Sequence, residues 1–92
     1  MEKYSYIWIF KGENSHFSSA VFTEQKDAET WIANNLLSGI LTKYPIDISV
    51  YDWAIQMKYF SPKKDHEFSN EFIQKFSSAA QEHYHFSNGV KE

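Results

Sequence analysis

The sequence contains no cysteine, which excludes disulfides, thiolate metal sites and cysteine nucleophiles. It also lacks any run of about 20 apolar residues, the length that a membrane-spanning helix needs. The first residues, MEKYSY, do not contain the apolar segment of a signal peptide. We therefore expect a cytoplasmic protein without a membrane partner.

Arginine is missing as well, because all nine basic residues are lysines; they stand against twelve acidic residues, for a net charge of −3. Arginine forms the bidentate hydrogen bonds by which proteins bind guanine edges and phosphates. Without it, and without a basic segment, we expect no nucleic-acid partner. The three glycines, at positions 12, 39 and 89, are too few for a phosphate-binding loop. No serine stands in a nucleophile motif, so we expect no enzyme and no cofactor.

Aromatic residues, by contrast, make up 18% of the chain, and several of them mark strands. The segment 4–10, YSYIWIF, is apolar on both faces, which predicts a central strand covered on both sides. The segment 17–23, FSSAVFT, predicts a second strand that forms an antiparallel hairpin with the first.

Capping signals and apolar stripes predict three helices. The first is predicted to begin after Thr23 as N-cap and to end before Gly39. The second begins at Ser49, which stands at capping-box spacing from Asp52. A third helix is predicted after Asp65 or Ser69. The apolar stripes of the second and third helices consist of Val50, Trp53, Ala54 and Met57, and of Phe68, Phe72, Ile73 and Phe76.

The segment EHYHF, 82–86, alternates polar and aromatic residues and therefore predicts a strand with the aromatic rings inward and the histidines outward. The alternative is a continuation of the third helix, with Phe72, Phe76 and His83 on one side. Ile40 and Leu41 fit either a short buried strand or a packed loop. Together these elements predict one α+β domain over 1–92, with a small antiparallel sheet of about three strands, two to three helices, and a frayed tail over 86–92.

Several strings in the chain resemble an uncharacterised family of small bacterial domains of unknown function. They are YIWIF, LSGILTKYPID, VYDWAI and FSSAAQEHYHFSNG. The resemblance implies a bacterial α+β domain and carries no known activity. One departure concerns the position after WAI, where a glycine is expected before an aromatic residue and this chain has Met57-Lys58.

Many orphan domains of this size and acidity act as immunity proteins, which suggests a non-catalytic module that neutralises a cognate toxin with a basic, nuclease-like surface. Tyr51 and Tyr59 fall on the side of the second helix away from its apolar stripe, where they fit either the core or an interface, for which tyrosine is well suited. Asp47 and Asp52 flank that surface and would attract a cationic partner. These four residues are the first candidate partner-binding set.

His83 and His85 form a second candidate patch, because residues two apart on a strand point the same way. The simplest interpretation is a pair of surface histidines without metal. The alternative is a metal- or small-ligand-binding domain that uses both imidazoles. A further alternative is a homodimer formed through a strand edge or the tyrosine surface, so the chain is expected to be a monomer or a homodimer.

Overall fold

The computed structural model describes residues 3–92, so residues 1–2 of the predicted domain lie outside the described part of the chain. The architecture is α+β, but the predicted count of about three strands is wrong. One antiparallel sheet has the strand order β2-β1-β3-β4-β5. Its strands are β1 (Tyr6–Gly12), β2 (Ala20–Phe22), β3 (Gly39–Pro45), β4 (His83–Ser87) and β5 (Val90–Lys91).

Three short helices accompany the sheet: α1 (Gln25–Asn34), α2 (Val50–Gln56) and α3 (Asn70–Gln74). A single turn of 3-10 helix, Asp65–Phe68, precedes α3. The longest helix, α1, has 10 residues, and no helix within residues 3–92 has the length and apolarity to cross a membrane.

The strands beyond the predicted three are β3 and β5. Ile40 and Leu41 belong to β3, which pairs with β1 and β4 and is the central strand of the sheet. The segment expected to be a frayed tail instead forms β5, because Asn88-Gly89 makes a two-residue hairpin turn with φ values of 52° and 85°. Asn-Gly is the preferred sequence for a turn that needs positive φ at both positions.

The main core lies on one face of the sheet, beneath α1. It is formed by Trp8, Phe10, Ala28, Ile32, Leu41 and Phe86, all buried. Trp31 of α1 packs its ring near Phe10 and Phe22, at centroid distances of 5.5 and 5.6 Å. The prediction for 82–86 is confirmed, since Phe86 is buried and Tyr84 half-buried on this face while His83 and His85 are exposed.

Helix α1 is shorter than predicted at both ends. Its N-cap is Glu24 rather than Thr23, and its last turn closes at Leu36, which has a φ of 54°. The predicted C-terminal glycine, Gly39, instead begins β3. A Cβ atom there would stand 2.3 Å from the carbonyl oxygen of Lys11 and 2.8 Å from the ring of Phe10. Close packing of β3 against β1 therefore requires glycine at this position.

Helix α2 packs on the same face of the sheet, where the indole N–H of Trp53 donates to the hydroxyl of Tyr6 at 3.2 Å. The predicted caps are confirmed for two helices. The Ser49 hydroxyl accepts from the backbone N–H of Asp52 at 2.9 Å, and the Ser69 hydroxyl caps α3. Behind α2, a second cluster of aromatic rings joins Tyr51, Phe60, Phe72 and Phe76.

The opposite face of the sheet holds no buried residue in the described chain, and we call it the open face. The sheet with its helices measures only 20 Å along its shortest axis, which accommodates two layers about 10 Å apart. The prediction that the first strand is covered on both sides is therefore wrong. The open face consists of Ile7, Ile9, Lys11, Val21, Ile40, Thr42, Tyr44, His83, His85, Ser87 and Val90.

Candidate functional site

The open face is the first candidate site because its centre is apolar. An antiparallel sheet that is covered on one side ordinarily presents polar residues on the other. Here Ile9 lies between Val21 and Thr42, and Ile7 lies beside Tyr44. Val21 is 61% exposed and Val90 67%, and the other apolar side chains of this face are half-buried. A contiguous apolar patch of this kind is typical of an interaction surface.

The dimensions of the open face limit what it can bind. Strands β2, β1, β3 and β4 have 3, 7, 7 and 5 residues, and at a rise of about 3.3 Å per residue and a spacing of about 4.8 Å they cover roughly 350 Å². A standard protein interface buries about 800 Å² on each partner. The open face alone therefore suits a weak or transient contact, and a tight complex would also have to use residues around its edge.

His83 and His85 lie on the open face, opposite Thr42 and Ile40 of β3. Their ring centroids are 5.8 Å apart, and the ring planes meet at 82°. The Nδ1 atom of His83 is 2.7 Å from the carbonyl oxygen of Gln81. No third His, Cys, Asp or Glu within residues 3–92 joins them in a group that could hold a metal ion. One chain thus offers at most two protein ligands here.

A cleft of about 510 Å³ opens at one end of the open face. Lys11, Ile40 and His85 lie in one row across β1, β3 and β4 and line it. The backbone N–H of Glu92 donates to the carbonyl of His85 at 2.8 Å, which adds a carboxylate to this end of the row. The open face therefore has an apolar centre with charged groups at its margin, the arrangement found in protein interfaces.

The predicted partner-binding residues around α2 are dispersed. Tyr51 is only 7% exposed, and its hydroxyl donates to the carbonyl of Glu67 at 2.7 Å. Its ring belongs to the aromatic cluster behind α2, so it cannot be the exposed anchor that we expected. Tyr59 is 54% exposed, with its ring centroid 5.4 Å from that of Trp53.

The two candidate aspartates are both exposed, but only one is free of a structural role. The Asp52 carboxylate accepts from the Ser49 hydroxyl at 2.9 Å, and its backbone N–H is capped by the same hydroxyl. Asp47 follows β3 with a φ of 64°, near the end of the open face that carries Tyr44. The structure therefore brings Asp47 to the margin of the open face and leaves Asp52 at the N-terminus of α2.

The strand edges of the sheet offer little for pairing with another chain. The outermost strands are β2, with 3 residues, and β5, with 2. Short edge strands expose few unpaired backbone groups, which disfavours edge-to-edge association. This geometry does not favour the alternative of a homodimer formed through a strand edge.

Two carboxylates elsewhere have pKa values below their ordinary range for structural reasons. The pKa of Glu67 is lowered because the backbone N–H groups of Lys63 and Lys64 donate to its carboxylate, at 2.8 and 2.9 Å. The pKa of Glu29 is lowered chiefly by a hydrogen bond from Lys91. Both interactions hold local structure together, the first at the 3-10 turn and the second between α1 and β5.

Sequence reasoning missed the open face because apolar residues on both sides of 4–10 resemble a strand buried between two layers. A signal was nevertheless present in the same pattern. Three predicted helices, two of them short, cannot cover both faces of a sheet. Apolar residues on two faces together with too few helices would have indicated an uncovered surface.

Comparisons with known proteins identify a family and no function. No curated protein and no solved structure matches the chain. A family model described as a domain of unknown function, DUF7710, matches residues 7–92. This range includes every described strand and helix except the first residue of β1, so the chain belongs to the DUF7710 family.

Proposed function

We propose that the protein is a non-catalytic module that binds another protein through the open face. The observation that carries this proposal is the apolar centre of the open face, formed by Ile7, Ile9, Val21, Ile40 and Tyr44, none of which is buried. Covering such a surface removes apolar area from water at about 25 cal/mol per Å². No catalytic group is needed for this activity.

In its specific form, the proposal is a bacterial immunity protein that neutralises a cognate basic toxin in the cytoplasm. The net charge of −3 and the exposed carboxylate of Asp47 at the margin of the open face support it. A carboxylate at the margin of an interface acts mainly by accelerating association with a cationic partner. Within residues 3–92, none of the side chains that form the centre of the open face is a carboxylate, so apolar contact rather than charge would hold the complex.

Capture of partners from a lysate of the source cell, with the complete chain as bait, tests the general proposal. Ile9→Lys and Val21→Lys each place a charge on the open face, and Thr30→Lys places the same charge on the exposed side of α1. We expect the first two variants to lose a partner that the wild type and Thr30→Lys both retain. Thermal melting of each variant establishes that it is folded. Equal capture by all four proteins would refute the proposal.

The immunity-protein proposal is tested on the protein that is captured. The partner should be basic, and Asp47→Asn removes the carboxylate while keeping a side chain that tolerates the left-handed backbone at this position. This variant should slow association while leaving dissociation nearly unchanged. Asp52 is unsuitable for this measurement because its carboxylate accepts a hydrogen bond from the Ser49 hydroxyl, which caps α2. A neutral or acidic partner, or an unchanged association rate, would contradict the immunity-protein form and leave the protein-binding module standing.

A further inference from the structure

The two histidines of β4 carry an inference that does not depend on the proposed partner. We propose that His83 and His85 form a two-ligand site for a divalent transition-metal ion such as Zn²⁺, Ni²⁺ or Cu²⁺. Each imidazole would supply one ring nitrogen, and solvent would occupy the remaining coordination positions. Imidazole is a ligand that all three of these ions accept.

The distance between the rings is suitable without a movement of the backbone. A metal–nitrogen bond is about 2.0–2.1 Å, and the ring centre lies about 1.1 Å beyond the nitrogen, so each ring centre stands about 3.2 Å from the ion. Two such rings are separated by about 5.2 Å at a tetrahedral angle and by about 6.4 Å when the ion lies directly between them. The observed separation of 5.8 Å falls within these limits.

The hydrogen bond of His83 fixes the tautomer of its ring and leaves one ring nitrogen able to bind a metal ion. The carbonyl oxygen of Gln81 can only accept, so the Nδ1 atom that lies 2.7 Å from it must carry the proton. The lone pair of a neutral His83 ring is consequently on Nε2, which is the atom left to bind an ion. Histidine ligands in metal sites ordinarily donate their second ring N–H to a carbonyl or carboxylate in this way, which fixes the tautomer and the ring orientation.

The charges around the pair do not oppose a cation. The residues opposite the two histidines on β3, Thr42 and Ile40, are uncharged. Lys11 lies two strands away from His85, at about 10 Å, where its repulsion is largely screened at physiological salt. Glu92 lies only one strand away on the other side, where its backbone N–H binds His85, and its carboxylate favours a cation.

The number and type of ligands determine which ions the site accepts. Ca²⁺ and Mg²⁺ prefer oxygen ligands, so two imidazoles exclude them. Structural zinc sites use four protein ligands, whereas one chain supplies two. The site is therefore expected to bind weakly and to exchange its ion readily, with a dissociation constant in the micromolar range.

Calorimetric titration of the untagged chain with ZnCl₂ and NiCl₂ tests this proposal. The buffer should be mildly alkaline, because a metal ion binds only the unprotonated nitrogen of an imidazole. We expect micromolar binding of Zn²⁺ and Ni²⁺ and none of MgCl₂, at one ion per chain. Removing an outer hydrogen-bond partner of a metal ligand typically costs about 10–100-fold in affinity. His83→Ala and His85→Ala each remove a direct ligand, so each should lower the affinity for Zn²⁺ at least about tenfold.

His16→Ala is the matched control, because it removes an exposed histidine of the β1–β2 loop and should leave the affinity unchanged. Nuclear magnetic resonance of the imidazole nitrogens gives a second readout, in which Zn²⁺ should shift both His83 and His85. The proposal is overturned if Zn²⁺ does not bind below millimolar concentration or if both variants bind as tightly as the wild type. Partner capture in the presence of a chelator examines the proposed protein-binding function separately.

Discussion

The end of helix α2 offers a sharp test of how backbone geometry limits the stability of this protein. Lys58 has a φ of 64°. The backbone N–H of Tyr59 donates to the carbonyl of Ala54 at 2.8 Å, and that of Lys58 donates to Ile55 at 3.1 Å. These two bonds define the Schellman motif, in which the residue at the position of Lys58 is usually glycine. We predict that Lys58→Gly is more stable than Lys58→Ala.

The expected gain follows from two opposing effects. A left-handed conformation costs an L-residue with a side chain roughly 1–2 kcal/mol. Glycine removes that cost but loses more conformational freedom on folding, an effect of roughly 0.5–1 kcal/mol. Relative to Lys58→Ala, the net gain in the free energy of unfolding should therefore be about 0.5–1 kcal/mol. In a domain of this size, such a gain raises the melting temperature by about 2–8 °C.

Lys58→Ala is the necessary control. Lysine near the C-terminus of a helix interacts favourably with the helix dipole, at about 0.3–1 kcal/mol, and both variants lose that interaction. Only Lys58→Gly also removes the cost of holding a residue with a side chain in the left-handed conformation. The difference in stability between the glycine and alanine variants therefore measures the effect of backbone conformation alone. Urea unfolding of the three proteins measures it. Equal unfolding midpoints for Lys58→Gly and Lys58→Ala would refute this reasoning.

Two further predictions concern single contacts. The pKa of Glu29 is below its ordinary value of 4.5 chiefly because Lys91 hydrogen-bonds to it, so this ion pair stabilises the fold above pH 4.5 and is lost as the pH falls through the lowered pKa. Wild type and Glu29→Gln should consequently differ in thermal stability at neutral pH and converge in acid, and a constant difference would contradict this. Tyr51→Phe removes the hydrogen bond to the carbonyl of Glu67 and should cost about 1 kcal/mol in chemical unfolding; an unchanged midpoint would show that the bond contributes nothing.

The sequence predicted correctly those features that depend only on residues a few positions apart, such as helix caps and the alternation of side chains along a strand. The Ser49 and Ser69 caps are confirmed because each hydroxyl binds a backbone N–H three residues away. The outward histidines and inward aromatic residues of β4 are confirmed for the same reason, since alternation is a property of a single strand. The Asn88-Gly89 turn was equally local, and the expectation of a frayed tail overlooked it.

Contacts between different helices and strands could not be predicted from such local signals. Tyr51 was placed on an exposed side of its helix, yet the rings of Phe60, Phe72 and Phe76 surround it. These partners come from segments that are 9 to 25 positions away in the printed sequence. Helical periodicity shows which residues share a face, but it does not show which faces are covered.

The sequence by itself determined the α+β class, the caps of α2 and α3 and the alternation of β4, because these depend on backbone geometry and near neighbours. Only the tertiary structure decided that β3 is the central strand, that Gly39 belongs to a close strand contact, and that one face of the sheet is open. Those features depend on which distant segments meet. The candidate protein-binding surface and the histidine pair both lie on the face that this assembly leaves uncovered.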